Sequence, residues 1–473
     1  MTLRLDYNCI LDTTIGGEHG LSLASIQANS GKIREVHDGL QKRRESGELG
    51  FFDVPYHMGV ADRVKAWADS VAGDFDYFVH IGIGGSGLGP ICVQAALNSP
   101  CYNEGAAFRT ANGRTYPRLY IIDNVDPEMI AEVDRVIDIR RTLFHVVSKS
   151  GTTPETMTAF MYFLEKLRVN VGDHAIGRQF VFTTDPAKGV LRELANKWGV
   201  TTFDIPPNVG GRFSVLTPVG LVPAALTGVD IHGLLRGAAR MQDRCETSDL
   251  MRNPAAFSAL VHYMMDVEKG KKIVVMMPYI QSLRFLSAWF VQLWAESLGK
   301  AHDVNGKLVN VGQTPLGALG ATDQHSQVQL FAEGPNDKLL LFLEASKFRH
   351  QCTIPAASAG LEEMRHFGEF DFSRLLNTEK DATEFALARQ QRPSMTLKLH
   401  SIDAETVGEL FHFFELQTAY AGGLYNINAF DQPGVEEGKR ATHALMGRGK
   451  PEDEAKLAEV KAFKARLTAE PLA

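Results

Sequence analysis

Cysteine is scarce in this chain, with five residues among 473. The number is odd and no CxxC pair occurs, whereas a disulfide scaffold needs a denser and paired set. We therefore expect free thiols in a reducing compartment, the cytoplasm. The first residues carry an acid by position 6 and contain no apolar core, so we expect no secretory signal peptide.

Long apolar runs and blocks of one charge are also missing. The longest uncharged stretch of note, residues 213–229, is interrupted by proline and glycine and is too short to span a bilayer. Lys plus Arg number 49 and Asp plus Glu 56, a net charge of −7 without basic blocks. This balance argues against nucleic acid or a membrane as the main partner. Metal-binding patterns such as HExxH are absent from the sequence, so we expect neither a metal ion nor a cofactor.

What the chain does contain is a regular alternation of strand and helix patterns, in a composition of 44% hydrophobic and 22% charged residues. Short apolar runs predict strands, and the amphipathic or apolar stretches between them predict helices. The predicted strands are 75–81, 118–123, 142–147, 179–184, 201–205, 271–279, 338–345 and 394–400. The main predicted helices are 127–137, 154–168, 187–198, 282–299 and 404–420. This alternation indicates an α/β fold with parallel sheets between helices.

The patterns divide the chain into four parts. Residues 1–45 are predicted to be a polar helical segment, 46–225 a first α/β domain, 226–430 a second one, and 431–473 a helical tail. Residues 346–393 show no clear periodicity, and we interpret them as an insertion of loops and short helices.

A glycine-rich loop, GIGGSGLGP at residues 82–90, directly follows the first predicted strand. Glycines allow the backbone to approach an anion, and the next helix offers free N–H groups at its positive end. A dinucleotide site would need an acidic residue about 20 positions further on, and the nearest candidate, Asp123, comes too late. A phosphate or sugar site is the favoured interpretation, with a plain strand–helix turn as the alternative.

A second loop, SKSGTTPET at residues 148–156, is rich in hydroxyl groups and also lies between a strand and a helix. Thr152 and Glu155 have the spacing of a capping box, which is the structural alternative. One cap needs one hydroxyl, however, and this loop supplies five beside Lys149. The pattern favours a cradle for a phosphate monoester.

Two charged residues stand in notable contexts. Arg212 follows two glycines in GGRFS, which suggests a guanidinium held at close range, although a surface arginine after a turn remains open. Glu296 lies in the last turn of the apolar helix 282–299. A carboxylate there is a candidate general base, and the alternative is an exposed ion pair with Lys300 four residues later.

His325 in TDQHSQ, and Gln432 and Lys439 in FDQPGVEEGK, carry little information singly. The four motifs above are the two loops, GGRFS and the segment around Glu296. Together with these motifs, however, the three residues occur in an order that resembles that of the glucose-6-phosphate isomerase (phosphoglucose isomerase) family. The resemblance covers residues from about 45 to about 445. It implies two sugar-isomerase (SIS) domains, each a five-stranded parallel sheet between helices, and a homodimer. It also implies interconversion of glucose 6-phosphate and fructose 6-phosphate in glycolysis and gluconeogenesis, by ring opening and metal-free proton transfer through a cis-enediol(ate).

The resemblance assigns a role to each motif residue. Glu296 matches the base that moves a proton between C2 and C1, and Arg212 matches the residue that stabilises the enediolate. His325 matches a ring-opening histidine supplied by the partner subunit, and Lys439 matches a lysine that assists it. The residues that match substrate-binding positions are Gly85, Ser86, Ser148, Lys149, Ser150, Thr153, Gly211 and Gln432.

The chain departs from the family pattern at a few positions. Ser150 stands where many members have threonine, and Leu298 replaces a polar residue. The residues before His325 differ from the commoner family sequence. The alternative function is a non-catalytic SIS protein that binds a sugar phosphate, which would need the hydroxyl loop but not Glu296, Arg212 and His325 together.

Overall fold

The computed structural model describes residues 3–104, 116–357, 360–467 and 469. The N-terminal part contains one strand and four helices: β1 (Leu3–Asp6), α1 (Asp12–Ile15), α2 (Leu23–Ala28), α3 (Ser30–Glu45) and α4 (Met58–Val71). The segment 1–45, predicted to be mainly helical, therefore begins with a strand that the sequence analysis did not predict. Four residues of alternating character are too few to distinguish a strand from the sequence alone.

A first sheet follows, built by strict alternation of strands and helices. Its elements are β2 (Tyr77–Ile81), α5 (Leu88–Leu97), β3 (Arg118–Ile122), α6 (Pro127–Val136), β4 (Thr142–Val147), α7 (Pro154–Asn170), α8 (Ile176–Gln179), β5 (Phe180–Thr184), α9 (Val190–Trp198) and β6 (Thr201–Asp204). The strand order is β3-β2-β4-β5-β6, and all neighbours are parallel. All residues of β4 and β5 are buried, because helices cover both faces of a parallel sheet.

A layer of helices connects the two sheets. It begins with α10 (Pro218–Leu226), α11 (Ile231–Cys245) and α12 (Pro254–Val267). Every residue of α10 is buried, so the apolar stretch over 213–229 belongs to the protein core. Among the described residues, no helix is both long and apolar enough to cross a membrane.

The second sheet repeats the alternation. The elements of this region, in chain order, are β7 (Ile273–Pro278), α13 (Arg284–Leu298), β8 (Lys300–His302), β9 (Leu308–Val311), β10 (Thr314–Gly317), α14 (Val328–Glu333), β11 (Lys338–Ala345), α15 (Phe372–Arg389), β12 (Ser394–Leu399) and α16 (Ala404–Leu424). Of these, β8 and β9 lie outside the second sheet and form a separate two-stranded antiparallel sheet. The tail adds α17 (Glu436–Leu445) and α18 (Pro451–Ala465), and the end of the predicted tail, residues 468 and 470–473, lies outside the described residues.

The order in this sheet is β1-β12-β11-β7-β10. Four of its strands are parallel, as predicted, but β1 pairs with β12 in the antiparallel direction. The α/β fold class is thus confirmed, with an antiparallel edge strand that the sequence analysis missed. The predicted insertion over 346–393 is also partly wrong, because α15 is a helix of 18 residues.

Helix α16 forms the centre of the helical layer and is buried along nearly its whole length. It packs against α3, α11, α12 and α13. At its crossing with α11, a Cβ atom on Gly408 would overlap the Leu234 carbonyl, and one on Gly237 would overlap the Glu405 carbonyl. These two glycines therefore set the distance between the helices.

Candidate active site

The two predicted phosphate loops lie side by side because they follow the adjacent parallel strands β2 and β4 at the same edge of the sheet. Between them is a cavity of about 550 Å³. Seven of the eight predicted substrate-binding residues line it: Gly85, Ser86, Ser148, Lys149, Ser150, Thr153 and Gly211. The amino ends of α5 and α7 also meet there, and free N–H groups at such ends attract anions.

The hydroxyl groups of the second loop are not used to cap helix α7. The N-cap residue is Thr153, and its side chain makes no capping hydrogen bond. Its Oγ1 instead lies 3.1 Å from Ser148 Oγ, which accepts from the Gly151 N–H at 3.0 Å. Ser150 Oγ accepts from the Thr152 N–H at 3.2 Å. The capping box considered for this loop does not form, and four of its five hydroxyl residues, Ser148, Ser150, Thr153 and Thr156, line the cavity.

Lys149 contributes charge to the cavity but holds a neighbouring loop at the same time. Its Nζ donates to the carbonyls of Pro207, at 2.7 Å, and Val209, at 3.0 Å. Burial lowers the pKa of Lys149. The ammonium thereby fixes the segment that leads into Gly211 and Arg212.

The first and third motifs touch directly at the floor of the cavity. A Cβ atom on Gly85 would overlap the carbonyl group of Gly211 and crowd the backbone nitrogen of Arg212. Only glycine permits this approach. The contact explains the glycine at position 85, whereas a Cβ atom on Gly211 itself would meet no atom within 4 Å.

Arg212 is buried, with 3% of its surface exposed, and it bonds residues from two other motifs. Its Nε donates to Ser297 Oγ at 2.7 Å, and its Nη1 donates to Glu296 Oε1 and Gln432 Oε1, both at 3.0 Å. Its Nη2 donates to the carbonyls of Ala429, at 2.6 Å, and Asp431, at 3.0 Å. Burial lowers the pKa of Arg212, and the adjacent Glu296 carboxylate opposes this shift. The alternative of a surface arginine is wrong.

Glu296 is held at both carboxylate oxygens while its side chain remains 27% exposed. Besides the bond from Arg212, its Oε2 accepts from Gln292 Nε2 at 3.1 Å. The considered ion pair with Lys300 does not form. Lys300 Nζ donates instead to the backbone carbonyls of Glu296 and Ser297, both at 2.9 Å, and of Asp431 at 3.0 Å. The carboxylate is thus oriented, partly open and available to a ligand.

The structure does not bring His325 and Lys439 into this cluster. His325 ends a 3₁₀ turn, Thr322–His325, that follows β10. Its side chain is exposed and makes no hydrogen bond or ion pair with any described residue. Lys439 lies on α17, where its Nζ pairs with Glu436 at 2.8 Å and the side chain is 55% exposed.

Several residues near the site were not selected from the sequence. Asp185 and Lys188 line the cavity from the loop after β5. Their position just after the carboxyl end of a predicted strand could have identified them as site residues. Thr156, by contrast, is one of the five hydroxyl residues counted in the second loop; it also lines the cavity, and its buried Oγ1 has no hydrogen-bond partner among the described residues. Ser297 and Gln292 support Arg212 and Glu296 from the same helix.

The comparisons with known proteins agree on one family. The family model for phosphoglucose isomerase matches residues 59–464. A glucose-6-phosphate isomerase from Carboxydothermus hydrogenoformans is 46% identical over 450 residues, which is 95% of either chain. A solved structure of a hypothetical protein from Thermus thermophilus is 35% identical, with a TM-score of 0.82 over 94% of this chain and 99% of that one. The fold is also shared with a glucose-6-phosphate isomerase from Chlamydia trachomatis, 22% identical, with a TM-score of 0.80 over 98% of this chain and 92% of that one.

Proposed function

The chain belongs to the phosphoglucose isomerase family, and on that premise we propose how its residues divide the reaction between them. The protein is an aldose–ketose isomerase that interconverts glucose 6-phosphate and fructose 6-phosphate. We place this step in glycolysis and gluconeogenesis, in the cytoplasm. The observation that carries the assignment is the Arg212 cluster, which holds Glu296 beside the hydroxyl-lined cavity.

In this proposal the cavity binds the phosphate group of the substrate. The hydroxyls of Ser86, Ser148, Ser150 and Thr153 donate to the phosphate oxygens, and Lys149 supplies positive charge. The phosphate is remote from the reacting carbons, so its binding energy serves to orient the sugar. Gly85 and Gly211 let the backbone approach the sugar closely.

The isomerisation itself requires a base and a stabilised anion. Glu296 removes the C2 proton of the open-chain aldose, and the electron pair of that bond forms the C1–C2 double bond of the enediolate. The carboxylic acid then returns the proton to C1 while a proton passes from O2 to O1. The buried Arg212 guanidinium stabilises the negative charge, and Gln432 contacts the substrate beside it.

Ring opening precedes proton transfer and involves His325, assisted by Lys439. A histidine passes a proton between the hydroxyl and the ring oxygen near neutral pH. His325 is exposed and outside the Arg212 cluster, which supports its contribution to the site of a partner subunit in a homodimer. We also propose that 46–225 forms the phosphate-binding domain and 226–430 the domain that carries Glu296 and His325.

The experiment that tests the function follows conversion of fructose 6-phosphate to glucose 6-phosphate by the purified protein, coupled to a dehydrogenase, with EDTA present. We expect turnover, and we expect Glu296→Gln to lower kcat by about 10²–10⁴-fold because an amide cannot accept the proton. The matched control is Glu132→Gln, which changes an exposed glutamate paired with Arg135 and leaves kcat unchanged.

Near-normal turnover in Glu296→Gln would overturn the proposed base. A wild-type protein without turnover, whose melting temperature still rises with sugar phosphate, would favour the non-catalytic SIS alternative.

A further inference from the structure

Two fully buried histidines lie beneath the glycine loop, and the mechanism above does not use them. His80 on β2 and His145 on β4 are neighbours in the sheet register and are both 0% exposed. His80 Nδ1 lies 3.0 Å from His145 Nδ1. Beyond this pair, His80 Nε2 lies 2.7 Å from the Ser86 carbonyl oxygen, and His145 Nε2 lies 2.7 Å from Thr183 Oγ1. The four groups form one continuous chain of hydrogen bonds.

The acceptor at one end fixes the position of every proton in this chain. The Ser86 carbonyl can only accept a hydrogen bond, so His80 Nε2 carries a hydrogen. When the ring is neutral, His80 Nδ1 then has a lone pair and can only accept. His145 Nδ1 must then carry the other hydrogen, which leaves His145 Nε2 to accept from the Thr183 hydroxyl. Burial lowers the pKa of His80 to about 4 and lowers that of His145 as well, so both rings are neutral. Each hydrogen bond in the chain is therefore donated in the direction from Thr183 to Ser86.

The Ser86 carbonyl needs this side-chain donor because of the local sequence. In a continuing helix the carbonyl would accept from the residue four positions later, which is Pro90, and proline has no N–H. The imidazole of His80 supplies a donor at that place. At the other end, the Thr183 carbonyl accepts from the Ser148 N–H at 3.2 Å. The chain therefore joins the backbone of the first phosphate loop to the strand residue that holds the second.

We propose that His80 and His145 are positioning residues that fix the glycine loop, and with it Ser86, against the hydroxyl loop for binding of the phosphate group. This inference rests on the proposed function, because the proposed function makes the phosphate group a ligand of both loops. The histidines themselves do not touch the substrate. Their loss should weaken phosphate binding and leave the proton-transfer step largely intact.

The test compares KM and kcat for fructose 6-phosphate with the inhibition constant of inorganic phosphate. We expect His80→Leu to raise KM and the inhibition constant by about tenfold, with kcat within about threefold of wild type, as for the loss of one buried hydrogen bond. His80→Gln, whose amide can donate to Ser86, should restore most of the affinity. His145→Asn should likewise be milder than His145→Leu, because the amide still donates toward His80.

The matched control is His262→Leu. His262 is equally buried, and its Nδ1 lies 2.8 Å from the Ser258 carbonyl on α12, away from the loops. We expect this variant to lose thermal stability with unchanged KM. If His80→Leu instead keeps wild-type KM and phosphate inhibition and only melts earlier, as the control does, the positioning role is overturned.

Two further measurements keep the outcomes distinct. If His80→Leu does not fold, Thr183→Val removes the terminal donor without changing side-chain shape, and we expect a rise in both constants of about threefold; no rise would overturn the proposal. If the wild-type protein lacks isomerase activity, the proposed function fails. Calorimetric binding of inorganic phosphate to wild type and His80→Leu then decides the positioning role by itself, with weaker binding expected in the variant.

Discussion

The Arg212 guanidinium donates to five acceptors in two distant segments of the chain, the end of α13 and the loop after α16: Glu296, Ser297, Gln432 and the carbonyls of Ala429 and Asp431. A planar group with five fixed donors can hold all of them at once. In this structure the same residue orients the proposed base and supplies the proposed charge for the enediolate. A substitution that keeps the positive charge but changes its position therefore affects both tasks.

Arg212→Lys tests that dependence at the residue scale. Lysine keeps the charge but has only three donors, all on one atom, so it cannot hold the five acceptors that Arg212 bonds. We expect kcat to fall by about 10²-fold or more, as when a preorganised donor is lost, in the coupled assay. Arg240→Lys on α11, whose arginine is 44% exposed and pairs with Glu405 and Glu409, should retain full activity. Wild-type kcat in Arg212→Lys would contradict the role of the fixed guanidinium.

At the scale of elements, the close crossing of α11 and α16 determines the thickness of the helical layer. Gly408→Ala places a methyl group against the Leu234 carbonyl, and the backbones must separate. We expect a loss of about 2–3 kcal/mol in the free energy of unfolding, measured as a lower melting temperature or urea midpoint.

The control for that substitution is Gly39→Ala in α3, where an added Cβ has open space. Alanine is the better helix former by about 1 kcal/mol, so this variant should be as stable as wild type or more stable. If Gly408→Ala melts at the same temperature as Gly39→Ala, the crossing tolerates a larger separation than the packing indicates.

At the scale of the whole molecule, the proposal that His325 completes the site of a partner subunit predicts that catalysis depends on assembly. In the proposed homodimer, Glu296 of one subunit works with the histidine of the other. Glu296→Gln and His325→Ala dimers should each be inactive. After the two are unfolded together and refolded as an equal mixture, half of the dimers are mixed and have one complete site each, so activity should recover to about a quarter of wild type.

A histidine that acted within its own subunit would give a different result. Every mixed dimer would then contain two defective sites, and the refolded mixture would remain inactive. Wild-type protein taken through the same refolding is the control for yield. Sedimentation of each sample checks that dimers have formed.

The elements that the sequence predicted correctly are those with long or strongly patterned signals. The strands of the first sheet were found because short apolar runs alternate there with helical patterns, and helices such as α7 and α16 were found because apolar periodicity extends over many residues. Strands β1, β8, β9 and β10 were missed, and each has four residues or fewer. Strand β6 is equally short, but it was predicted because it continues the alternation of the first sheet. Such short segments become strands only through a partner, which for Leu3 is Leu399 at the far end of the chain.

For the proposed site, the local motifs already limit the chemistry, because the hydroxyls, glycines, guanidinium and carboxylate are residue types that restrict what can bind. Which of these groups meet depends on how the chain folds. Arg212 reaches Glu296 and Gln432 across 84 and 220 residues of sequence, and His80 reaches Thr183 through His145 across three strands. No local pattern records such contacts, because they arise from strand order and helix packing rather than from neighbours along the chain.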